Sequence, residues 1–421
     1  MTDIQKKIKA YFPFSFGPEQ EQAVEDIRQD LASGKVMSRL LNGDTGVGKS
    51  AVIYYTCIGC ALRGHRSIIF APTILLAEQH FHNLIDMGWD DVQLYTAGCD
   101  DQGAAVTVST HAILGDEQLL TSAVFVAVDE FQRTGVNQRA IIQKCHPHLL
   151  LSSATPLPRS MMISVLGGLT VSEIRQQPIQ RGTVIVRWVL PQKQDGVYSI
   201  VEQELSKGHQ AFIIYPRIGD EEQEQSAAKG LREWSQRYDE NDSEFDASDI
   251  ALLTGKTSLE DKLDIFRQFK EGQIRILIST IIVEVGIDCK NATVAVVVGA
   301  DRFGLSQLWQ IRGRVCRSQD TSFLLLMAET ANETSIARLD TIEKARTGFE
   351  IAEEDLRLRG AGEVFSTRQH GLPDLKWCSV VDDYDLMVEA KELVASGSVG
   401  SGVREMMRIR YGGNLQLGGV A

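Results

Sequence analysis

Short apolar runs recur along the chain, each bounded by polar or turn residues and separated by longer stretches of helical periodicity. Ser67–Ala71, Ala105–Ser109, Val124–Val128 and His148–Ser152 form a first set. Their continuous apolar character predicts strands buried on both faces, as in a parallel sheet covered by helices. Ala211–Tyr215, Ile250–Leu253, Ile274–Ile278 and Thr293–Val298 repeat the pattern. The polar, proline-containing segment Gln176–Gly182 reads as a linker between the sets. The expected organisation is two tandem parallel-sheet α/β domains followed by a small C-terminal piece. Its boundaries fall at 1–175, a linker over 176–190, then 191–346 and 347–421. A length of 421 residues suits two or three domains. The glycine-rich Tyr411–Ala421 predicts a frayed tail.

Composition narrows the class. A hydrophobic share of 43% can fill sizeable cores. No apolar run approaches membrane-spanning length. The polar start, Met1–Lys9, carries no signal-peptide core. Seven scattered cysteines do not form a disulfide framework, so a reducing cytoplasm is expected. Cys57 and Cys60 lie three apart without a second ligand pair, which favours core packing over metal binding. The net charge of −13 argues against nucleic acid until its distribution is considered. Gly219–Asp249 holds eleven acidic and three basic residues, and so supplies −8 of the total. That stretch reads as a solvated helix and loop, and a basic groove elsewhere can still bind phosphates.

The candidate chemistry starts at Leu40–Ser50, where Gly43, Gly48, Lys49 and Ser50 fit a phosphate loop. Thr45 and Gly46 lie inside it. Glycines let backbone N–H groups approach a polyphosphate at a helix N-terminus. Lys49 is expected on the outer phosphates and Ser50 on a magnesium ion. Asp129 and Glu130 follow the third apolar run. The Asp is expected to hold the magnesium ion, and the Glu to orient or deprotonate attacking water. Ser153, Ala154 and Thr155 end the next run before two prolines force an extended exit. In the second half, Arg314 and Arg317 stand three apart, on one helical face, after Gln310. Guanidinium groups stabilise charge spread over a transferring phosphoryl group. A site shared across an interdomain cleft is the expectation.

The order of these motifs resembles the superfamily 2 helicase-like ATPases, and within them the RecG/Mfd subgroup. The resemblance spans about Phe14 to Gly371. It implies two RecA-like motor domains followed by a helical-hairpin translocation segment. Ala71–His80 is similar to motif Ia, Ser109–Ile113 to motif Ib and Glu284–Asp288 to motif V. Arg302–Leu308 leads into motif VI. Phe16 and Gln20 resemble the upstream element that reads adenine, which implies ATP. Gly286 and Asp288 join the nucleotide site by the same resemblance. Backbone contacts to DNA would come from Pro72, Thr73, Thr110, His111, Arg217, Thr254, Gly255 and Thr280. Gly348–Gly360, Gly362–Glu363 and Thr367–Gly371 resemble the subgroup's translocation motif. Arg359, Arg368 and Gln369 would couple hydrolysis to movement.

Departures stand beside these matches. Gln132 replaces a His that the family uses between its ATP and DNA sites. Ile281 stands where a second Thr is usual, and Cys316 replaces a Gly. The oligonucleotide-binding wedge that precedes the motor in RecG has no counterpart before the phosphate loop. The resemblance implies an ATP-dependent double-stranded DNA translocase or helicase that remodels branched DNA or replication forks, with ATP and Mg2+ as cofactors. The alternative is a nucleotide-gated DNA-binding subunit whose protein partner replaces the wedge. No membrane role is expected. RNA unwinding fits less well, because the translocation motif is tied to duplex DNA.

Overall fold

The computed structural model describes residues 3–145, 147–153, 155–157, 169–176, 182–216, 220–240, 247–280, 289, 291–315 and 320–366, with a few isolated positions beyond. Two wholly parallel sheets organise these residues. The first combines β1 (Ser38–Gly43), β2 (Arg66–Phe70), β3 (Val92–Tyr95), β4 (Val106–Ser109), β5 (Ala123–Val128), β6 (His148–Ser152) and β7 (Thr170–Ile174). Its order is β3-β4-β2-β5-β6-β1-β7. The second combines β8 (Val184–Val189), β9 (Gln210–Ile214), β10 (Ile250–Leu253), β11 (Ile276–Ser279), β12 (Ala292–Val298) and β13 (Ser322–Met327), in the order β10-β11-β9-β12-β13-β8.

Helices cover both faces of each sheet, as parallel sheets require. In the first domain α1 (Asp3–Lys9), α2 (Pro18–Ala32), α3 (Lys49–Ala61) and α4 (Ile74–Asp86) enclose one core, with Ile8, Ile27, Ile53, Ile58 and Leu84 at its centre. On the other face α5 (Glu117–Ser122) and α6 (Val136–Lys144) bury Leu119, Leu120 and Ile142. The helix α3 is apolar nearly all round, since it is packed between sheet and outer helices. In the second domain α7 (Gln194–Ser206) and the acidic α8 (Asp220–Glu240) cover one face, through Val201, Ala227 and Trp234. The other face carries α9 (Leu259–Lys270), α10 (Leu305–Val315), α11 (Glu333–Lys344) and α12 (Gly348–Ser366).

The tandem α/β architecture matches the expectation, and each predicted apolar run lies in or overlaps a strand. The expected linker over 176–190 ends sooner than predicted, because Val184–Val189 pairs with β13 as an edge strand. Its alternation around the exposed Arg187 hides it from a search for continuous apolar runs. β3 and β7 escape the same search because Gln93 interrupts the one and the other is half-polar. The C-terminal piece contributes α12, which packs on α10 and α11. Arg368, Gln369 and the remainder of the expected hairpin lie outside the described residues.

Candidate functional site

The end of β1 turns into the phosphate loop under tight steric control. A Cβ on Gly43 would stand 2.7 Å from the Ile174 carbonyl oxygen. Gly46 and Gly48 take φ of +72° and +84°, a region that side chains with a Cβ rarely adopt. These turns aim the loop amides at the start of α3, where Lys49 and Ser50 form the first turn. Lys49 is buried, and its Nζ donates to the carbonyls of Gly43 and Asp44 at 2.8 and 2.6 Å. Gln20 is buried too. It donates from Nε2 to Val47 O at 2.9 Å, and its Oε1 accepts from Gly17 N. Its amide therefore braces the loop from beneath. Phe16 packs edge-on against Phe12 and tilted on Tyr55, and lines a cavity of about 500 Å³ with Lys9, Pro18 and Glu21.

β5 delivers Asp129 and Glu130 beside the loop. Burial pushes the Asp129 carboxyl up. The hydrogen bond and charge of His80, the nearby Ser152 hydroxyl and the charge of Lys49 outweigh this and hold it below its ordinary range. Glu130 behaves in the opposite way. Burial raises its carboxyl, the Arg133 charge opposes this, Asp129 adds to it, and Arg314 and Lys49 oppose it. The net shift is upward. The two adjacent carboxyls are thus shifted in opposite directions by their surroundings. Glu130 also has φ of +46°, the sole positive value on a non-glycine among the described residues. Such a conformation costs roughly 1–3 kcal/mol and concentrates at functional sites. Gln132 lies exposed on the following short turn, Phe131–Arg133. Arg133, not singled out from the sequence, pairs with Glu130 at 2.9 Å.

The second domain closes on the same loop. Arg314, on α10, acts electrostatically on Glu130 of the first domain. Asp44 accepts from Thr45 N and Trp309 Nε1 on Oδ1, both at 2.6 Å, and from Gly348 N on Oδ2 at 2.7 Å. A Cβ on Gly313 would stand 2.9 Å from Thr45 Cβ. Arg175 stacks over Phe349, 4.5 Å from the ring centroid, beside this seam. Gln310 is buried on the same α10. Arg317, Gly286 and Asp288 lie outside the described residues, as do Ile281 and Cys316.

The expected DNA-contacting positions gather at the carboxyl ends of parallel strands. Pro72 and Thr73 follow β2, and the Thr73 hydroxyl caps α4 by accepting from Leu76 N. Thr110 and His111 follow β4, with Thr110 buried and the His111 ring edge-on to Phe70. Thr254 and Gly255 follow β10, and Thr280 follows β11. The Gly255 carbonyl accepts from Lys262 Nζ. Thr280 Oγ1 is buried and without a hydrogen-bond partner. Strand carboxyl ends are where open α/β sheets place ligands. Arg217 and Arg368 lie outside the described residues, and Arg359 lies on α12 without a described side chain.

Two α/β domains that meet over one phosphate loop have the architecture of a helicase-type core. Residues 17–163 match the DEAD/DEAH box helicase family, and residues 193–319 match the helicase conserved C-terminal domain. Both halves of the chain thus match helicase domains, and the whole is similar to superfamily 2 helicases of the RecG-like branch. It is 35% identical over 414 residues to the ATP-dependent DNA helicase RecG of Staphylococcus epidermidis, covering 93% of this chain. It is 34% identical over 404 residues to the RecG of Streptococcus pneumoniae, covering 92% of this chain. The chain spans 60% of the length of each of these relatives. Among solved structures it is similar to RecG bound to a three-way DNA junction. That match has a TM-score of 0.70 at 31% identity and covers 91% of this chain and 51% of that one. The helicase Lhr of Mycobacterium smegmatis shares the fold, with a TM-score of 0.61 at 15% identity over 81% of this chain and 50% of that one. No described helix is long and apolar enough to cross a membrane.

Proposed function

We propose that the cleft binds ATP with magnesium and that hydrolysis drives movement along duplex DNA, with branched DNA or replication forks as substrate. The observation that carries this reading is the meeting of two domains over one loop. Asp44 and Thr45 touch Trp309, Gly348 and Gly313, while Arg314 acts on Glu130. A nucleotide seated there bears on both domains at once, so its hydrolysis alters their relative position.

The residues fit the cofactor. No cluster of three or more His, Cys, Asp or Glu among the described residues forms a metal cage. Magnesium beside phosphates needs little protein ligation, and one hydroxyl with one ionised carboxylate suffices. Ser50 and Asp129 supply these, and the ion would neutralise charge on the outer phosphates. Lys49 exchanges its two carbonyl acceptors for phosphate oxygens. Gly46 and Gly48 present loop amides without Cβ interference. Glu130, with its raised carboxyl, takes the proton of the attacking water. Arg314 stabilises charge on the transferring group, in the manner of an arginine finger.

Hydroxyls and amides at the strand ends suit phosphate contacts, which position a duplex without reading sequence. RecG in complex with a three-way junction supports branched DNA as the class of substrate. The test is the ATPase rate with single-stranded, duplex, forked and four-way DNA. Branched DNA should stimulate most, and a rate that stays flat across all four would refute the reading.

A further inference from the structure

His80 lies outside the residues assigned above, yet it is 2% exposed and touches the cleft. Its Nε2 stands 3.1 Å from Asp129 Oδ2, and its Nδ1 stands 2.7 Å from Tyr54 Oη. Asn83 Nδ2 donates to the same Tyr54 oxygen at 3.2 Å. Chemistry fixes the direction of this chain. An ionised carboxylate only accepts, so His80 Nε2 carries the proton and donates. At the other side of the ring, Nδ1 and the Tyr54 hydroxyl share a hydrogen bond, and the Tyr54 oxygen accepts from Asn83. Both ring nitrogens of His80 are matched, as a buried imidazole requires.

The chain joins three elements. Asp129 follows β5, and Tyr54 lies five residues after Lys49 on α3. His80 and Asn83 lie one turn apart on α4, which Thr73 caps at the nucleic-acid edge. Tyr54 and His80 also pack edge to face, with centroids 5.7 Å apart at 85°. His80 thus holds one oxygen of the Asp129 carboxylate, Oδ2.

We propose that His80 is a positioning residue that fixes the Asp129 carboxylate for magnesium and ties it to α4. A shift of α4 at the nucleic-acid edge then moves the carboxylate without any contact between DNA and nucleotide. The inference rests on the proposed reading of the cleft.

The test is equilibrium binding of a fluorescent ATP analogue to the full chain as magnesium is raised. Outer partners of metal ligands are typically worth 10- to 100-fold, so His80→Ala should need roughly that much more magnesium at half-saturation. Its affinity for the analogue without magnesium should match wild type. His80→Gln keeps an amide donor and should recover most of the loss. Tyr54→Phe, which removes the hydroxyl bonded to both His80 and Asn83, should cost roughly 3- to 10-fold. Stimulation of hydrolysis by duplex DNA should fall in His80→Ala and return in His80→Gln. An unchanged magnesium requirement in a His80→Ala protein that unfolds like wild type would overturn the proposal. So would a His80→Gln protein as impaired as His80→Ala, since that pattern marks packing alone. Wild type lacking magnesium-dependent binding would overturn the reading of the cleft itself, and this inference with it.

Discussion

The two domains share one topology and divide its uses. Without the edge strand β7, the first sheet runs in the same permutation as the second, each strand taking the place of one seven positions later. β1 and β8 are therefore counterparts, and so are α3 and α7. Between β1 and α3 lies a glycine-rich loop with two left-handed turns and a buried lysine. Between β8 and α7 lies Leu190–Lys193, with a proline and no glycine. One copy can cradle phosphates and the other cannot. The second contributes by reaching across from α10, a helix on the opposite side of its own sheet from α7. The same scaffold thus serves as a holder in one copy and a closer in the other.

That division can be broken by substitution. Arg314→Ala should cut hydrolysis by roughly 10³-fold or more, with ATP affinity nearly kept because the holder is intact. Single-turnover kinetics beside equilibrium binding separates the two quantities. Lys49→Ala should lower hydrolysis by roughly 10²- to 10³-fold and weaken binding as well. If the two variants lost affinity equally, holder and closer would not be distinct.

The pH dependence sharpens the comparison. Glu130 is raised mainly by burial, so its base form, and with it the rate, appears as pH climbs above the ordinary carboxylate range. Arg133 opposes that shift. Arg133→Ala should therefore move the acidic limb of the pH–rate profile to higher pH, whereas a limb at lower pH would exclude Glu130 as the base.

Smaller effects concern the seam and the holder alone. Trp309→Phe keeps the ring but removes the donor to Asp44, a hydrogen bond to a charged group worth about 1.5–3 kcal/mol. Calorimetry should then show the two domains unfolding less in concert. Thr73→Ala removes the α4 cap at a cost of about 1 kcal/mol. That loss should fall on the first domain's transition and leave the second unchanged.

Much of this was legible in the chain because it is encoded locally. The phosphate loop is a spacing of residues, and buried parallel strands are continuous apolar runs. The carboxylates announce themselves by following such a run. The rest depends on who meets whom. Asp44 and Trp309 are 265 positions apart, and no local pattern shows that an aspartate inside the loop bonds to an indole in the other domain. His80 lay within a recognised motif, but its two partners come from α3 and β5. Gln20 was expected at adenine, and nothing in the sequence signals that its amide also bonds the loop carbonyl of Val47.

Gly313 has no side chain, and the seam is shaped around that absence. A Cβ there would lie 2.9 Å from Thr45 Cβ, so the separation of the domains at the loop is gauged by one missing carbon. Any larger residue acts as a spacer of known thickness. Gly313→Ala would set that spacer against Thr45 of the phosphate loop, holding the seam apart from the side of the second domain.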